Sequence, residues 1–140
     1  MKFWDSSAVI PLLIKERATD FVTSLLERDP LMAVWWGTEV ECVSALARLE
    51  RSGVPIEPLS QSFERLRHLA SAWIEVRPSE LLRETAKRLL RVHPLRPADS
   101  LQLAAAVTVL RSRSSNGDFV CLDARLCAAA HREGLNILSV

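Results

Sequence analysis

Four acidic side chains stand where predicted strands end and predicted helices begin. They are Asp5, Glu41, Asp99 and Asp123. In a parallel α/β sheet the carboxyl ends of the strands open on one edge, where ligands bind, so we expect these acids to converge in one cleft. Clustered carboxylates raise one another's pKa unless a cation neutralises them. The residues therefore predict a carboxylate-only site for a divalent cation, and with it phosphodiester or phosphate chemistry.

Each acid also has a purely structural explanation. Asp5 and Asp123 each precede a predicted helix, where Asp is a favoured N-cap. Asp99 falls in the first turn of a helix, where a negative charge suits the helix dipole. The segment from Thr38 to Glu41 has the pattern of a capping box, in which Glu41 would bond back to the Thr38 backbone N–H. These explanations account for single acids, but not for acids at four helix starts.

The elements that must position the acids alternate along the chain. Strands are predicted at 2–5, 31–36, 73–76, 119–122 and 135–138, and helices at 7–15, 17–28, 38–52, 57–71, 80–91, 97–111 and 123–132, with a surface turn at 113–118. We expect Ser6 and Ser7 to cap the first helix, and Gly53 and Gly134 to end two later ones. Alternating strands and helices predict a parallel sheet with helices on both faces. Short apolar strands fit that arrangement, because both faces of such a sheet are covered.

Length and composition predict one domain spanning residues 1–140. The hydrophobic fraction of 49% is enough for an ordinary core, and the net charge of +1 gives no polyelectrolyte signal. Three cysteines without a CxxC motif argue against a disulfide framework and for a reducing cytosol. Asp5 interrupts the N-terminal apolar run, and the longest apolar stretch, near Leu103–Leu110, is too short to span a bilayer. We therefore expect a cytoplasmic protein with no membrane segment.

Four segments of the sequence resemble, in order, the motifs of PIN-domain ribonucleases. FWDSSAVIPLL resembles the opening motif, with Asp5 as its acid and Ser7 as its small hydroxyl. TEVECVSALARLERSG resembles the second, and the spacing to its Ala-Leu pair and Arg selects Glu41. LRPADSLQLAAA resembles the third, around Asp99, and FVCLDARLCAAAHREGLNIL the fourth, around Asp123. The match covers nearly the whole chain, and within the family its compact motifs are most similar to VapC-type toxins of bacterial toxin–antitoxin pairs.

One position rivals an acid of the motifs, and two positions depart from the family pattern. Glu39 is a rival to Glu41, but it lies two residues earlier, so a helix would point it elsewhere. Cys121 stands where the family often has Thr or Ser, and a thiol is a poorer hydrogen-bond donor. Gln102 stands where a His is common, one helical turn after Asp99. Neither of the last two changes removes a carboxylate.

The resemblance implies a three-layer α/β/α sandwich with a five-stranded parallel sheet, and metal-dependent cleavage of RNA. It implies that Asp5, Glu41, Asp99 and Asp123 hold Mg²⁺ or Mn²⁺ directly or through water, with Ser7 assisting by hydrogen bonds to a ligand or a substrate phosphate. Hard carboxylate oxygens suit these ions, and the sequence offers no nitrogen or sulfur ligand set. The resemblance also implies a cognate VapB-type antitoxin.

Substrate binding and assembly are predicted from other residues. Arg83, Lys87 and Arg91 recur at i, i+4 spacing and predict a basic stripe, with Arg96 just beyond it, that tracks RNA phosphates. The alternative is an ordinary solvated face balanced by two Glu residues of the same helix. Apolar surface that includes Trp35 or Trp36 predicts a homodimer.

Two other classes of protein gather acids on a parallel sheet or share the fold. A phosphoacceptor signalling domain needs a second acid beside the one after its first strand and a Lys near its last strand. Asp5 has no acidic neighbour, and no Lys follows Lys87. A catalytically silent PIN-like module that binds RNA or protein is the alternative to a ribonuclease, and the presence of all four acids argues against it.

Overall fold

The computed structural model describes residues 1–112 and 117–140. Within those ranges the chain forms five strands and seven helices. The strands are β1 (Lys2–Trp4), β2 (Met32–Trp35), β3 (Ile74–Val76), β4 (Asp118–Val120) and β5 (Asn136–Leu138), and the helices are α1 (Ser6–Leu13), α2 (Thr19–Arg28), α3 (Thr38–Arg51), α4 (Ile56–Ala70), α5 (Glu80–Val92), α6 (Pro97–Arg111) and α7 (Ala124–Arg132). The turn predicted at 113–118 lies outside the described residues except for its last two positions.

The predicted elements are present, and their ends differ from the prediction by at most two residues. Gly53 and Gly134 follow α3 and α7 with φ of 92° and 84°, a backbone conformation that glycine adopts without strain. The predicted cap of α1 was wrong. Ser6 and Ser7 are the first residues of the helix, and the preceding Asp5 is its N-cap, accepting the Ser7 backbone N–H. An Asp side chain in extended backbone geometry is already one of the best caps, so the serines are not needed for that role.

The five strands form one parallel sheet in the order β3-β2-β1-β4-β5. Phe3 pairs with Ala33 of β2 on one side and with Phe119 of β4 on the other, so β1 is central. The chain first builds outward through β2 and β3, and then continues on the other side of β1 with β4 and β5. The strand order therefore reverses between β1 and β4, which opens a crevice at the carboxyl ends of these two strands.

Helices cover both faces of the sheet. Helices α1–α4 pack over the face that carries Trp4 and Val34, and helices α5–α7 over the face that carries Phe3 and Phe119. Phe3 and Trp4 are both fully buried although they point to opposite faces. This confirms the predicted three-layer α/β/α sandwich, and it explains why adjacent positions of the central strand β1, Phe3 and Trp4, are both apolar. Among the described helices, none is long and apolar enough to cross a membrane.

The carboxyl-terminal ends of α5, α6 and α7 are joined at Glu133, in a group that we call the Glu133 clamp. Arg88 donates two hydrogen bonds to the Glu133 carboxylate, at 3.0 and 2.9 Å. His93 Nε2 lies 2.8 Å from Oε1, and Arg111 Nη2 lies 3.2 Å from Oε2. The clamp lies at the edge of the sheet where strands begin, which is the edge opposite the predicted site.

Candidate active site

Asp5 is the acid held at the end of the central strand. It follows β1 directly, is 3% exposed, and accepts hydrogen bonds at Oδ2 from the Ser7 backbone N–H (3.0 Å) and from the Ser7 hydroxyl. The Ser7 oxygen in turn accepts the Leu122 backbone N–H at 2.9 Å. Ser7 therefore fixes the Asp5 carboxylate and links the junction after β1 to the junction after β4.

Glu41 lies in the first turn of α3, the helix that follows the neighbouring strand β2. The Ser6 hydroxyl donates to Oε2 at 2.7 Å, and Gln102 Nε2 donates to Oε1 at 3.3 Å. Each carboxylate oxygen is thus bonded to a neutral donor from a different helix. Glu39, the rival acid, is exposed.

The capping box predicted for Thr38 and Glu41 was wrong. Gly37 already has helical backbone angles (φ −77°, ψ −6°), so Thr38 is the first residue inside α3 rather than its cap. Thr38 is fully buried, and its hydroxyl oxygen accepts Gln102 Nε2 at 3.1 Å. The side chains of both box residues are therefore drawn to α6 and α1 instead of to their own backbone.

Asp99 and Asp123 complete the set of acids. Asp99 is half-buried in the first turn of α6, close to the basic side chains of Arg96 and Arg125. Asp123 follows β4 by three residues and caps α7, with Oδ1 accepting the Leu126 N–H at 2.8 Å. Two of the four acids therefore also serve as helix N-caps, so the structural role that the sequence suggested for them is present.

The electrostatics of the acids link all four at the carboxyl edge of the sheet. The pKa of Asp5 is raised from 3.8 to about 6, mainly by burial and to a smaller extent by the nearby carboxylates of Glu41 and Asp99, while the Ser7 hydrogen bonds oppose the rise. Burial also raises the pKa of Glu41, with a smaller contribution from Asp99. The pKa of Asp99 is raised by burial and then by Asp123. Each acid thus repels at least one other.

The donor chemistry of this acid cluster fits a hard divalent cation. Among the described residues, Asp5 and Glu41 accept hydrogen bonds only from neutral groups, so no cationic side chain bonds to either carboxylate. Carboxylate oxygens can each accept more than one bond, and oxygen is the ligand that Mg²⁺ and Mn²⁺ prefer. Across residues 1–112 and 117–140, no three Asp, Glu, His or Cys side chains form a ready-made metal-binding group. Mutual repulsion is a physical reason for such carboxylates to stand apart without a cation.

Sequence reasoning missed three residues of this site. Ser6 and Gln102 bond to Glu41, and Arg125 lies close enough to Asp99 to oppose the rise of its pKa. In the motif, Gln102 is only a departure from the common His, one helical turn after Asp99. That spacing was the available signal, because residues three apart on a helix face the same way.

Cys121 fills the space beside the Asp5 carboxylate. It is fully buried, with Sγ 3.7 Å from Asp5 Oδ2 and 3.8 Å from Ser7 Oγ. Contact with the Cys127 thiol, together with burial, raises the pKa of Cys121, so this thiol stays protonated. Cys127 is half-buried, and its thiol donates to the Cys121 carbonyl oxygen at 3.3 Å.

The basic stripe expected on α5 is partly balanced. Arg83 pairs with Glu80 at 3.1 Å, and Lys87 pairs with Glu84 at 2.8 Å, all four side chains being well exposed. Exposed i, i+3 pairs of this kind contribute little to stability. They do reduce the bare positive charge that an RNA phosphate would meet on this face.

The adjacent tryptophans at the end of β2 have different surroundings. Trp35 is 7% exposed and packs among α5 and α6, whereas Trp36 is 51% exposed. Their rings meet edge to face, with centroids 6.4 Å apart. Trp35 is therefore a core residue, and only Trp36 offers apolar surface.

The fold is similar to that of three solved structures. A chain of the toxin–antitoxin complex from Klebsiella pneumoniae is 18% identical, with 91% of each chain covered and a TM-score of 0.64. VapBC2 from Rickettsia felis, bound to a DNA fragment from its promoter, matches at 12% identity over 99% of this chain and 98% of the other, with a TM-score of 0.68. FitAcB from Neisseria gonorrhoeae matches at 16% identity over 99% and 96%, with a TM-score of 0.65. No protein-family model and no curated protein matches the sequence. The likeness confirms, at the level of the fold, the resemblance drawn from the four motifs.

Proposed function

We propose that the protein is a metal-dependent endoribonuclease and the toxin of a VapBC-type toxin–antitoxin pair. The observation that carries the proposal is the acid cluster at the switch point of the sheet. Asp5, which is buried, and Glu41, which is half-buried, repel neighbouring acids there and bond only to neutral donors within the described structure. A divalent cation removes that repulsion, and the similarity in fold to toxin–antitoxin complexes supports the same function.

In this proposal Asp5, Glu41, Asp99 and Asp123 hold Mg²⁺ or Mn²⁺ directly or through water. The bound cation supplies an activated water and positive charge for the reacting phosphate. Asp5 is the most rigid of the four, because the end of the central strand and the Ser7 hydrogen bonds fix it. Ser7 contributes by keeping that carboxylate in place.

RNA is the proposed substrate, and the basic groups beside the acids support it. Arg96 and Arg125 both lie close enough to Asp99 to oppose the rise of its pKa, and both are exposed. Arginine suits bidentate contact with phosphate. A toxin that cleaves cellular RNA would act in the cytoplasm, so we propose that the protein is cytoplasmic.

The proposed partner is a cognate VapB-type antitoxin that inserts an Arg or Lys among the carboxylates. A cationic side chain there would relieve the repulsion that Glu41 and Asp99 exert on Asp5, and it would displace the metal. This is the simplest way for a protein to silence an acidic site.

A homodimer is proposed through the exposed apolar side chains at the start of α3. Trp36, Val40 and Val43 follow i, i+4, i+7 spacing and are 51%, 68% and 41% exposed. Val40 and Val43 share one side of α3, and Trp36 lies two residues before the helix begins. Exposed apolar surface marks interaction sites.

Cleavage of total RNA by the purified protein tests the proposed function. We expect degradation with Mg²⁺ or Mn²⁺ and none with EDTA. The Asp99→Asn variant should be inactive, whereas Glu39→Gln, which removes an exposed acid from the same edge, should cleave like the wild type. RNA that stays intact with both metals would favour the alternative, a catalytically silent module that binds RNA or protein.

A further inference from the structure

We propose that Gln102 and Ser6 are positioning residues that orient the Glu41 carboxylate for cation binding. The inference rests on the proposed function of the acid cluster, and it assigns to two neutral side chains a role that the sequence motifs did not give them. Both bond to Glu41 from other helices, Ser6 from the start of α1 and Gln102 from α6.

Gln102 is a polar side chain in the most buried part of the protein. It is 0% exposed, and the next five residues of α6, Leu103–Val107, are buried as well. An amide in such a place is costly unless its groups are hydrogen-bonded. Its Nε2 bonds to Thr38 Oγ1 at 3.1 Å and to Glu41 Oε1 at 3.3 Å, so the buried amide points at the acid cluster rather than into the core.

The two donors fix an otherwise loose torsion. The terminal torsion of a Glu side chain has a broad, roughly two-fold profile, so the carboxylate plane is free to turn. Ser6 holds Oε2 at 2.7 Å and Gln102 holds Oε1, one bond to each oxygen. With both oxygens held, the plane is set, and each oxygen keeps acceptor capacity for another ligand.

Neutral donors are suited to this role because they leave the charge of the carboxylate intact. An Arg or Lys in the same place would neutralise Glu41 and compete with a cation. Outer-shell hydrogen bonds of this kind orient metal ligands, and their loss lowers metal affinity or activity.

Thr38 sets which end of the Gln102 amide meets Glu41. A carboxylate accepts hydrogen bonds and cannot donate them, so the amide nitrogen must face Oε1. Thr38 Oγ1 lies near both ends of the amide, 3.1 Å from Nε2 and 3.5 Å from Oε1. Its hydroxyl can therefore serve the amide oxygen once the nitrogen is committed to the acid.

The test compares Gln102→Met and Ser6→Ala with the wild type. Met keeps the length and apolar fit of the Gln side chain but removes its donors. We expect each variant to bind Mn²⁺ more weakly in calorimetry, and to cleave RNA with a lower kcat at unchanged KM, by roughly 10- to 100-fold. The matched control is Ser62→Ala, which removes a buried hydroxyl bonded to the Leu13 carbonyl oxygen at 2.8 Å, at the far end of α1. Ser62→Ala should bind Mn²⁺ and cleave as the wild type does.

Repeating Gln102→Met in a Glu41→Gln background separates positioning from general structural damage. If Gln102 acts through Glu41, the second substitution has no further effect on Mn²⁺ affinity or kcat. Equal losses in both backgrounds, or wild-type affinity in Gln102→Met and Ser6→Ala, overturn the proposal. If Gln102→Met does not fold, Ser6→Ala decides alone, since position 6 is only half-buried at a helix start. Gln102→His, which keeps a ring N–H donor, should regain part of the lost affinity.

The failure of the proposed function would look different. A wild-type protein that neither binds Mn²⁺ nor cleaves RNA refutes the function but leaves the positioning open to a direct measurement. Crystal structures of the wild type and of the Ser6→Ala/Gln102→Met variant would then show whether the Glu41 carboxylate has turned. An unchanged carboxylate plane in the double variant overturns the positioning role.

Discussion

At the scale of single residues, Asp5 carries the largest electrostatic cost in the site. Its carboxyl titrates at 3.8 in an ordinary setting and its pKa is about 6 in the fold, mainly because it is buried. Between these values the folded protein binds more protons than the unfolded chain. The free energy of unfolding of the metal-free protein should therefore fall as pH rises from about 4 to 6 and then level off, with a total loss from Asp5 of about 3 kcal/mol.

Asp5→Asn should remove this pH dependence. Asn keeps an oxygen for the Ser7 N–H but carries no charge, so the metal-free variant should be more stable than the wild type at pH 7, although it should not cleave RNA. Urea unfolding in EDTA at pH 4 and pH 7 measures the difference. Asp123→Asn is the control, because Asp123 is exposed and Asn is also a good N-cap. A wild-type protein that is equally stable at pH 4 and pH 7 would contradict the raised pKa of the buried Asp5 carboxyl.

Glu41 and Glu39 make a second comparison at this scale. In Glu41→Gln the amide oxygen can accept from Gln102 and the amide nitrogen can donate to the Ser6 oxygen, so the fold should persist. The loss of charge should lower kcat by roughly 100-fold or more, as the removal of one electrostatic group from an active site does. Glu39→Gln should cleave RNA with nearly the wild-type kcat in the same assay. The reverse order would show that the wrong acid had been chosen.

At the scale of elements, the Glu133 clamp holds three helices together at the edge away from the acids. Its hydrogen bonds to Arg88, with burial opposing, lower the pKa of Glu133 to about 2. The ordinary pKa of a Glu side chain is 4.5, so the clamp stabilises the fold fully above that pH. This contribution to the free energy of unfolding is lost as the pH falls from 4.5 towards 2. The Glu133 side chain is 8% exposed, and its loss leaves one buried partner, His93, without its hydrogen bond to this carboxylate.

Glu133→Gln should lower the free energy of unfolding at pH 7 by roughly 1–3 kcal/mol, since hydrogen bonds between charged groups are replaced by weaker ones. Thermal unfolding at pH 7 and pH 3 should show the difference narrowing in acid. Mn²⁺ affinity should stay at the wild-type value, because the clamp and the acid cluster lie at opposite edges of the sheet. A change in Mn²⁺ affinity as large as that of Gln102→Met would mean that the two edges are coupled.

At the scale of the whole molecule, a cation bound only by the folded protein must raise its stability. At a free Mn²⁺ concentration of 100 times the dissociation constant the gain is about 2.7 kcal/mol. We expect the melting temperature to rise when Mn²⁺ or Mg²⁺ is added, and to return to its metal-free value when EDTA removes the metal. In Asp5→Asn/Asp99→Asn, which keeps two of the four acids, the shift should largely disappear. An equal shift in both proteins would place the metal elsewhere.

The toxin proposal predicts what the protein does in a cell. Induction of the wild type should stop growth and degrade RNA, whereas Asp99→Asn should do neither, because Asp99 is one of the proposed metal ligands. Co-expression with a small antitoxin gene beside this one should restore growth. Growth and RNA integrity are followed together in one host. Equal harm from both variants, or intact RNA in the arrested wild type, would count against a nuclease toxin.

The sequence by itself determined the order of the elements and the edge at which the acids stand. Both depend on local signals, such as apolar runs that become strands and the caps that follow them. Asp5 lies directly after β1 and Asp123 lies three residues after β4, so any parallel sheet built from those strands carries both acids to the same edge. The alternation of side chains along a strand likewise decides that Trp35 and Trp36 face different surroundings, but the sequence does not say which of them faces the core.

Only the tertiary structure decided how Glu41 is held. Its donors lie 35 and 61 residues away in the chain, at Ser6 and Gln102. The local pattern favoured a capping box with Thr38, but Gln102 of α6 and Ser6 of α1 lie within hydrogen-bond distance of these side chains and bond to them instead. Hydrogen bonds between distant residues leave no periodic signal in a sequence, because they depend on where whole helices pack. Ser6 and Gln102 are also the residues proposed to orient the Glu41 carboxylate for cation binding. The orientation of this carboxylate therefore follows from how the helices are placed rather than from the motif.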